Sequence, residues 1–487
     1  MTKNKTMQRC IAAVLAIVLL FGAYFLGRGV GRRQETNTTK RGAASLYVGS
    51  AEAKMSNPSY WLRRTGGDNK VQLDQGEIRA LNRRIRAQKS SQMYDLEKEP
   101  ATVNQVKLNK VLRKDAQKKK KEFLGKVFYT ESGKRLPGNF FDSAISNTQN
   151  PNPSAKAPVR YGIAVNVAPI KQFPMEERTL DGPGQYNLDN SGSAVARVND
   201  PVLIYSTSRD GKYYYAETYD YRGWMPIENV AVCRDRSEWE AAWNMPQKEM
   251  LVVTTDRIHL ESSLTDPAAS EKVLTVGTRL RLVKHVGRAE NFGTRGGYNN
   301  YVVYLPVRHA DGSYAREKTL VSESESVSIG YLPLTKKNIL TVAFTMLGNT
   351  YGYCSDLYSE DCSGLVQGVY RCFGLFLPRN TFTQTPLKCV RRYDLTKASE
   401  REKKKVLNKL PVGSTIYFSQ GHTGIYLGKV GGKHYVINSS NNGRFKGQHE
   451  SMLTNEVMIE AIEDVRNHSN QTWFKALTYA LVPYEEA

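Results

Sequence analysis

The spacing of hydrophobic positions changes several times along the chain, and each change predicts a different kind of element. An unbroken apolar run from Cys10 to Gly27 comes first, long enough to reach across the hydrocarbon core of a bilayer. Residues 34 to about 56 are small and polar and read as a tether. Helical spacing then holds from Asn57 to about Leu124, where Leu73, Ile78, Leu81 and Ile85 fall near one face. Asn147 to Pro158, rich in Asn, Pro and Ser, reads as a linker that closes this helical segment over 57–158.

From Tyr161 the period shortens to two. Runs such as Val202-Leu203-Ile204-Tyr205 and Tyr213-Tyr214-Tyr215-Ala216-Glu217 are separated by turn signals such as Asp210-Gly211 and end at Gly223-Trp224. Short strands closed in this way predict a small barrel. A second set runs from Met250 to Leu334 and closes on Gly330-Tyr331-Leu332-Pro333, so two related β modules in tandem are expected, over 159–240 and 241–334. From Thr335 to the end the texture becomes α+β. Helices are expected over Asn338 to Leu347 and Asp361 to Phe373, and strands over Ser414 to Ser419, His422 to Val430, His434 to Ser439 and Lys475 to Val482.

Composition narrows what such a chain can do. Its 487 residues allow three or four domains, and its net charge of +22 suits an anionic partner without choosing one. The basic stretches carry no zinc pattern, aromatic nucleic-acid motif or recognition-helix signature, so a solvated face is expected and no nucleic acid. Six cysteines without CxxC spacing give neither a disulfide framework nor a metal site. Lys3, Lys5 and Arg9 precede the first apolar run, and Arg28, Arg32 and Arg33 follow it where small residues would mark cleavage. Residues 1–33 therefore read as a retained membrane anchor or uncleaved signal.

Candidate chemistry lies in the last region. Cys362 begins a helix whose Leu365, Val366, Val369, Tyr370 and Phe373 form an apolar stripe, with Asp361 as its N-cap. A helix start carries partial positive charge, which predicts a lowered thiol pKa. About sixty residues on, His422 opens a strand on a face it shares with Gly424, Tyr426 and Gly428, and those glycines predict open space before the imidazole. A third group should orient the ring, and His434 and Asn438 are candidates of equal parity. A three-residue loop at Lys429 to Gly431 pairs His422 with Asn438 and leaves His434 roughly 14 Å along the strand. A two-residue Gly431-Gly432 turn would put Asn438 on the wrong face. Arg379, after Leu377-Pro378, is a candidate for a substrate carboxylate.

Asp-Cys-Ser-Gly-Leu-Val at 361–366, Leu-Pro-Arg-Asn-Thr at 377–381 and Gly-His-Thr-Gly-Ile-Tyr-Leu-Gly at 421–428 resemble the NlpC/P60 family of cysteine peptidases. The resemblance implies a papain-like α+β catalytic domain over 335–487. The upstream segments look like the helical stabilising region and two bacterial SH3-like modules of members that cleave γ-D-glutamyl–diamino acid bonds in peptidoglycan peptides. It implies Cys362 as nucleophile, His422 as base and Asn438 where the family commonly has histidine. Asp361 and Ser363 would hold the peptide's free amine, and Tyr351 maps to the tyrosine of the family's Pro-Tyr-x-x-Gly-Gly element. Cys354-Ser355 replaces that glycine pair, and Tyr221 would reach the cleft from the first module. No cofactor or metal is expected, peptidoglycan stem peptides are the expected partner, and the place is the cell envelope, with the protein a monomer. The different class of reading is a catalytically inactive peptidoglycan-binding or scaffold protein, motivated by Asn438 and Cys354-Ser355.

Overall fold

Local capping sets the first helices. Asp74 accepts from the Gly76 and Glu77 amides while Glu77 returns a bond to Asp74, a capping box that starts the helix Gln75–Ala87. The computed structural model describes residues 51–486 apart from 66–68, 265–266, 287–290, 294, 446–447 and 449. The expected anchor over 1–33 and the tether as far as residue 50 lie outside the described residues. Among those described, no helix is long and apolar enough to cross a membrane. The end of the expected tether is structured: Ala53–Ser56 forms a 3-10 turn with Met55 buried.

The stripe read on Gln75–Ala87 is used inward. Ile78, Leu81 and Ile85 join Tyr60 and Trp61 of the helix Pro58–Thr65 in one core with the C-terminal domain, and Leu73 packs at its edge. Asn82 ties the same helix down, donating to the Gly374 carbonyl at 2.7 Å and accepting from the Phe376 amide at 2.9 Å. The next long helix, Gln105–Phe123, turns instead to the β region through Leu108, Leu112 and Ala116. The stretch expected to be a linker is pinned, because its polar side chains find partners. Asn147 donates to the Pro174 carbonyl at 2.7 Å, and the Asn150 amide reaches Asn109 at 3.0 Å.

Residues 160–232 form a seven-stranded antiparallel sheet. Gly223 is required at its closing element: a Cβ there would lie 2.7 Å from Ile170 and 2.8 Å from the Lys171 carbonyl, so the Gly-Trp pair lets two strands meet over buried Trp224. Residues 250–329 form a five-stranded sheet. Beyond it, the ring of Tyr331 fills the space left by Gly374.

The C-terminal domain is a sheet in the order Arg391–Asp394, Leu477–Val482, Thr415–Phe418, Thr423–Val430, Lys433–Phe445, Met452–Ala461, with Val465–Arg466 pairing off Lys433–Phe445. Mixed helix and sheet therefore make an α+β fold. The helix Cys362–Arg371 packs on this sheet through Leu365, Val366, Val369 and Tyr370, all fully buried. Its polar side is buried as well, against the upstream modules. Gln367 donates to Asp220 at 2.6 Å, Arg371 bonds the Gly277 carbonyl, Tyr219 and Asp200, and Gly368 leaves room for Val276, which a Cβ would meet at 2.7 Å.

Candidate active site

Asp361 holds the start of the nucleophile helix as expected: its Oδ1 accepts from the Gly364 amide at 2.8 Å. Cys362 is the first helical residue and is half-buried, whereas Cys233, Cys354 and Cys372 are buried. Its thiol points at the turn that carries the histidine, 3.9 Å from the Gly421 carbonyl oxygen, and the Thr423 N–H also faces the sulfur. Gly421 takes φ +83, a left-handed conformation suited to glycine, and His422 follows it just ahead of the strand Thr423–Val430. Cys362 and His422 thus come from opposite sides of one contact between a helix start and a strand start.

Behind the ring, His422 Nε2 meets Asn438 Oδ1 at 2.9 Å. The route to this pairing differs from the expected one. The turn is the two-residue Gly431-Gly432, with Val430 opposite Lys433, which alone would turn Asn438 away. A bulge at Leu427 restores parity: Gly428 pairs with Tyr435, but Tyr426 pairs with Val436. Gly428 at φ +109 supplies the backbone for the extra residue. His434 is placed elsewhere, bonding Glu463 through Nδ1 at 2.7 Å. The glycine at 424 serves closeness, not the open space expected. A Cβ on it would lie 2.9 Å from the Ile437 carbonyl and 3.0 Å from the Asn438 Cβ.

Two aromatic rings that the sequence reading missed enclose the imidazole. Trp473 lies 4.6 Å from it and Phe418 5.9 Å, at 46° and 21°. Only their nearness to strand ends could have drawn notice.

The thiol pKa runs opposite to the expected direction. Desolvation, followed by the adjacent Asp361 carboxylate, pushes Cys362 up to about 12, outweighing the Thr423 and Ser363 amides and Arg379, which favour the thiolate. Desolvation likewise pushes His422 down to about 4. Both shifts favour the uncharged forms, the thiol of Cys362 and the neutral imidazole of His422. Nε2 is the ring nitrogen held by Asn438.

The remaining candidates form a second, polar group beside the thiol. Arg379 is buried and grips Asp361 with both Nη atoms, at 3.0 Å and 2.8 Å, while also donating to Ser363 at 3.0 Å and Ser355 at 2.9 Å. Its guanidinium is therefore committed inward, to the helix cap, and not to an incoming carboxylate. Asp361 also accepts from Ser363 at 3.1 Å and from the Cys354 amide at 3.0 Å, so a substrate amine would have to displace one of these donors. Cys354 and Ser355 have φ +60 and +63, the region a glycine pair would occupy freely, at a cost of about 1–2 kcal/mol each for other residues. The Cys354 N–H to Asp361 and the Ser355 hydroxyl, shared between Glu360 and Arg379, offset that cost. Tyr351 is buried, and its titration feels Asp361, Cys362 and Cys354. Tyr221 comes from the first module, on the loop before the strand Arg222–Pro226. Its electrostatic neighbour on the catalytic domain is Tyr353, which is exposed.

The NlpC/P60 family model matches residues 348–482, the span that holds all these groups except Tyr221. The chain carries an NlpC/P60 cysteine peptidase domain. An SH3 domain model of the SH3b1 type matches residues 180–226, which end on the Gly223-Trp224 strand. Among solved structures, the chain shares its fold with an NlpC/P60 endopeptidase from Photobacterium damselae subsp. piscicida. The two are 18% identical with a TM-score of 0.69, over 90% of this chain and 98% of that one. An NlpC/P60 family protein from Bacillus cereus is similar at 16% identity, TM-score 0.37, over 60% of this chain and 82% of that one. No curated protein matches. NlpC/P60 domains belong to cell-wall peptidases, which work in the cell envelope. In this chain the helix Cys362–Arg371 is capped by Asp361, tied down by the buried Arg371 and Arg379, and starts against the turn that carries His422.

Proposed function

We propose that the protein hydrolyses γ-D-glutamyl–diamino acid bonds of peptidoglycan-derived peptides through Cys362, His422 and Asn438. The observation that carries this reading is the His422 Nε2 to Asn438 Oδ1 bond of 2.9 Å behind a ring whose flanking backbone faces the Cys362 sulfur. As the sulfur bonds to the γ-glutamyl carbonyl carbon, its proton passes to Nδ1 of His422, so no thiolate is needed beforehand. Asn438 steadies the resulting imidazolium by accepting from Nε2–H. The carbonyl oxygen becomes an oxyanion before the Cys362 N–H, an amide of the first helical turn that has no partner within the helix. The C–N bond then breaks, and His422 gives its proton to the leaving amine. Water, deprotonated by the same imidazole, cleaves the thioester and frees the acid and the thiol.

In this reading Tyr351, Tyr221, Asp361, Ser363 and Arg379 shape the wall where the upstream end of the peptide lies. The chain divides into an anchor over 1–33, a tether over 34–56, a helical segment over 57–158, SH3-like modules over 159–240 and 241–334, and the catalytic domain over 335–487. The protein would act as a monomer on stem peptides at the membrane. Incubation with L-Ala-γ-D-Glu-diaminopimelate should release L-Ala-D-Glu, and Cys362→Ala should not. Equal turnover by both proteins, or cleavage elsewhere, refutes the assignment.

The resting protonation states favour a second reading, a binding or scaffold protein of the envelope with an idle thiol. Iodoacetamide separates the two. Modification of Cys362 at pH 7 that His422→Ala slows about tenfold or more supports a working base, whereas equal rates support the scaffold.

A further inference from the structure

Glu460, near the end of the strand Met452–Ala461, is fully buried and takes no part in the chemistry described so far. A carboxyl in a sheet core is costly unless something uses it. Its Oε2 accepts from Asn438 Nδ2 at 2.6 Å, while its Oε1 is buried with no hydrogen-bond partner among the described residues. The amide of Asn438 has two ends, and only one of them serves the base. With Oδ1 toward His422, Nε2 carries the ring proton and Nδ1 keeps the lone pair that takes the thiol proton. With the amide turned over, Nδ2–H would face Nε2, the ring proton would move to Nδ1, and the imidazole could no longer act on Cys362. The other acceptor for Nδ2 is the Met458 carbonyl at 3.4 Å, a long and weak contact. One short bond therefore decides which way the amide points.

We infer that Glu460 is a positioning residue of this site: its carboxyl fixes the Asn438 amide and, through it, the tautomer of His422. The inference rests on the Cys362–His422–Asn438 reading. Burial, with Glu456 nearby, pushes the Glu460 pKa up to about 8 against the opposing Asn438 hydrogen bond, and Oε2 is the oxygen that accepts from Nδ2. The sequence carries a trace of this: Glu460 stands between Ile459 and Ala461 in the buried half of the strand.

The test compares wild type with Glu460→Gln, which keeps an acceptor oxygen, and Glu460→Met, which keeps the length without it. In the full chain, 15N spectra of the His422 ring read the tautomer, iodoacetamide reads the thiol, and hydrolysis of L-Ala-γ-D-Glu-diaminopimelate gives kcat and KM. Wild type should show the Nε2–H tautomer, and E460Q should stay within about threefold of it in every rate. E460M should shift the ring toward Nδ1–H and lower alkylation and kcat about tenfold or more with KM within about twofold, as loss of one strong hydrogen bond implies. An Nδ1–H tautomer in wild type overturns the inference without any variant, as does a folded E460M with unchanged tautomer and rates. If no peptide is cleaved by wild type, the peptidase reading fails, while the tautomer and alkylation still decide the role of Glu460.

Discussion

Replacing Arg379 by methionine tests whether the polar group beside the thiol holds the nucleophile in place. Arg379 and Asp361 are 3% and 6% exposed, and the arginine gives Asp361 two of its charged contacts, at 3.0 Å and 2.8 Å. Removing one partner of a buried pair leaves the other as an uncompensated charge, at a cost of about 3–5 kcal/mol. At roughly 2–4 °C per kcal/mol for a domain of this size, melting should fall by roughly 6 °C or more. The sign of the pH dependence follows from the shifts. In wild type the charge–charge and hydrogen-bond contacts of Arg379, outweighing desolvation, hold Asp361 below its ordinary value. Its stabilisation is therefore present at neutral pH and lost only as pH falls through that lowered pKa, below about 4. Without Arg379, desolvation raises the same carboxyl, which then protonates at higher pH. The gap between variant and wild type should accordingly narrow from pH 7 to pH 5. Asp361→Asn added to Arg379→Met removes the stranded charge and should recover most of the loss. Alkylation should follow the same order, since Arg379 favours the Cys362 thiolate and Asp361 opposes it. Thermal melts at the two pH values suffice. An R379M protein that melts within about 2 °C of wild type at pH 7 refutes the reasoning.

Three further outcomes follow from the histidine's surroundings. With His422 pushed down to about 4, the base stays neutral through mild acid, so kcat/KM should fall only as pH drops through about 4. An acid limb near 6.5 in the pH–rate profile contradicts this. Trp473→Ala opens the covered face of the ring. Melting should reflect a loss of about 3–5 kcal/mol for a buried aromatic, and the acid limb should move up toward the ordinary histidine value; an unmoved limb counts against desolvation as the cause. Gly424→Ala puts a methyl 3.0 Å from the Asn438 Cβ. Measured kcat should fall about tenfold or more as the asparagine is pushed off His422, and wild-type kinetics would show that the close approach is unimportant.

What was legible in the sequence was what periodicity and capping encode. Leu365, Val366, Val369 and Tyr370 are the buried face of the helix Cys362–Arg371, with Phe373 buried just past its end, and Asp361 is its cap. The Asn438 pairing came out of parity, but through a compensation that parity alone cannot reveal: a shorter turn and a bulge at Leu427 each change the face once. Gly428 was the trace of that bulge, since an isolated glycine in a strand often marks one. The thiol pKa was misjudged because helix-terminus charge is a local property, readable from sequence. Desolvation by the packing around the helix start is a tertiary one. Arg379 was misjudged for the same reason: a loop position says nothing of the buried carboxylate that folding brings to it.

The upstream segments are structurally part of the catalytic domain, and this has a consequence for truncation. Glu360, just before the helix cap, receives Arg197 from the first module at 2.7 Å, and Arg371, the last helical residue, is received by Asp200, Tyr219 and the Gly277 carbonyl. At the other side, Trp61, Ile78, Leu81 and Ile85 of the N-terminal helices are 0–2% exposed within the core of the NlpC/P60 domain itself, and Trp61 packs on Tyr435 at 5.2 Å between ring centres. Four such side chains at about 1.5–3 kcal/mol each amount to about 6–12 kcal/mol. That is comparable to the entire stability of a typical domain, about 5–15 kcal/mol. A chain beginning at residue 94 should therefore lose its cooperative melt or melt far below the chain beginning at residue 51, even though every proposed catalytic residue is retained. Circular dichroism on the two chains, with Cys362 alkylation as a local probe, decides the matter. Equal melting temperatures would show that the helices merely rest on the domain.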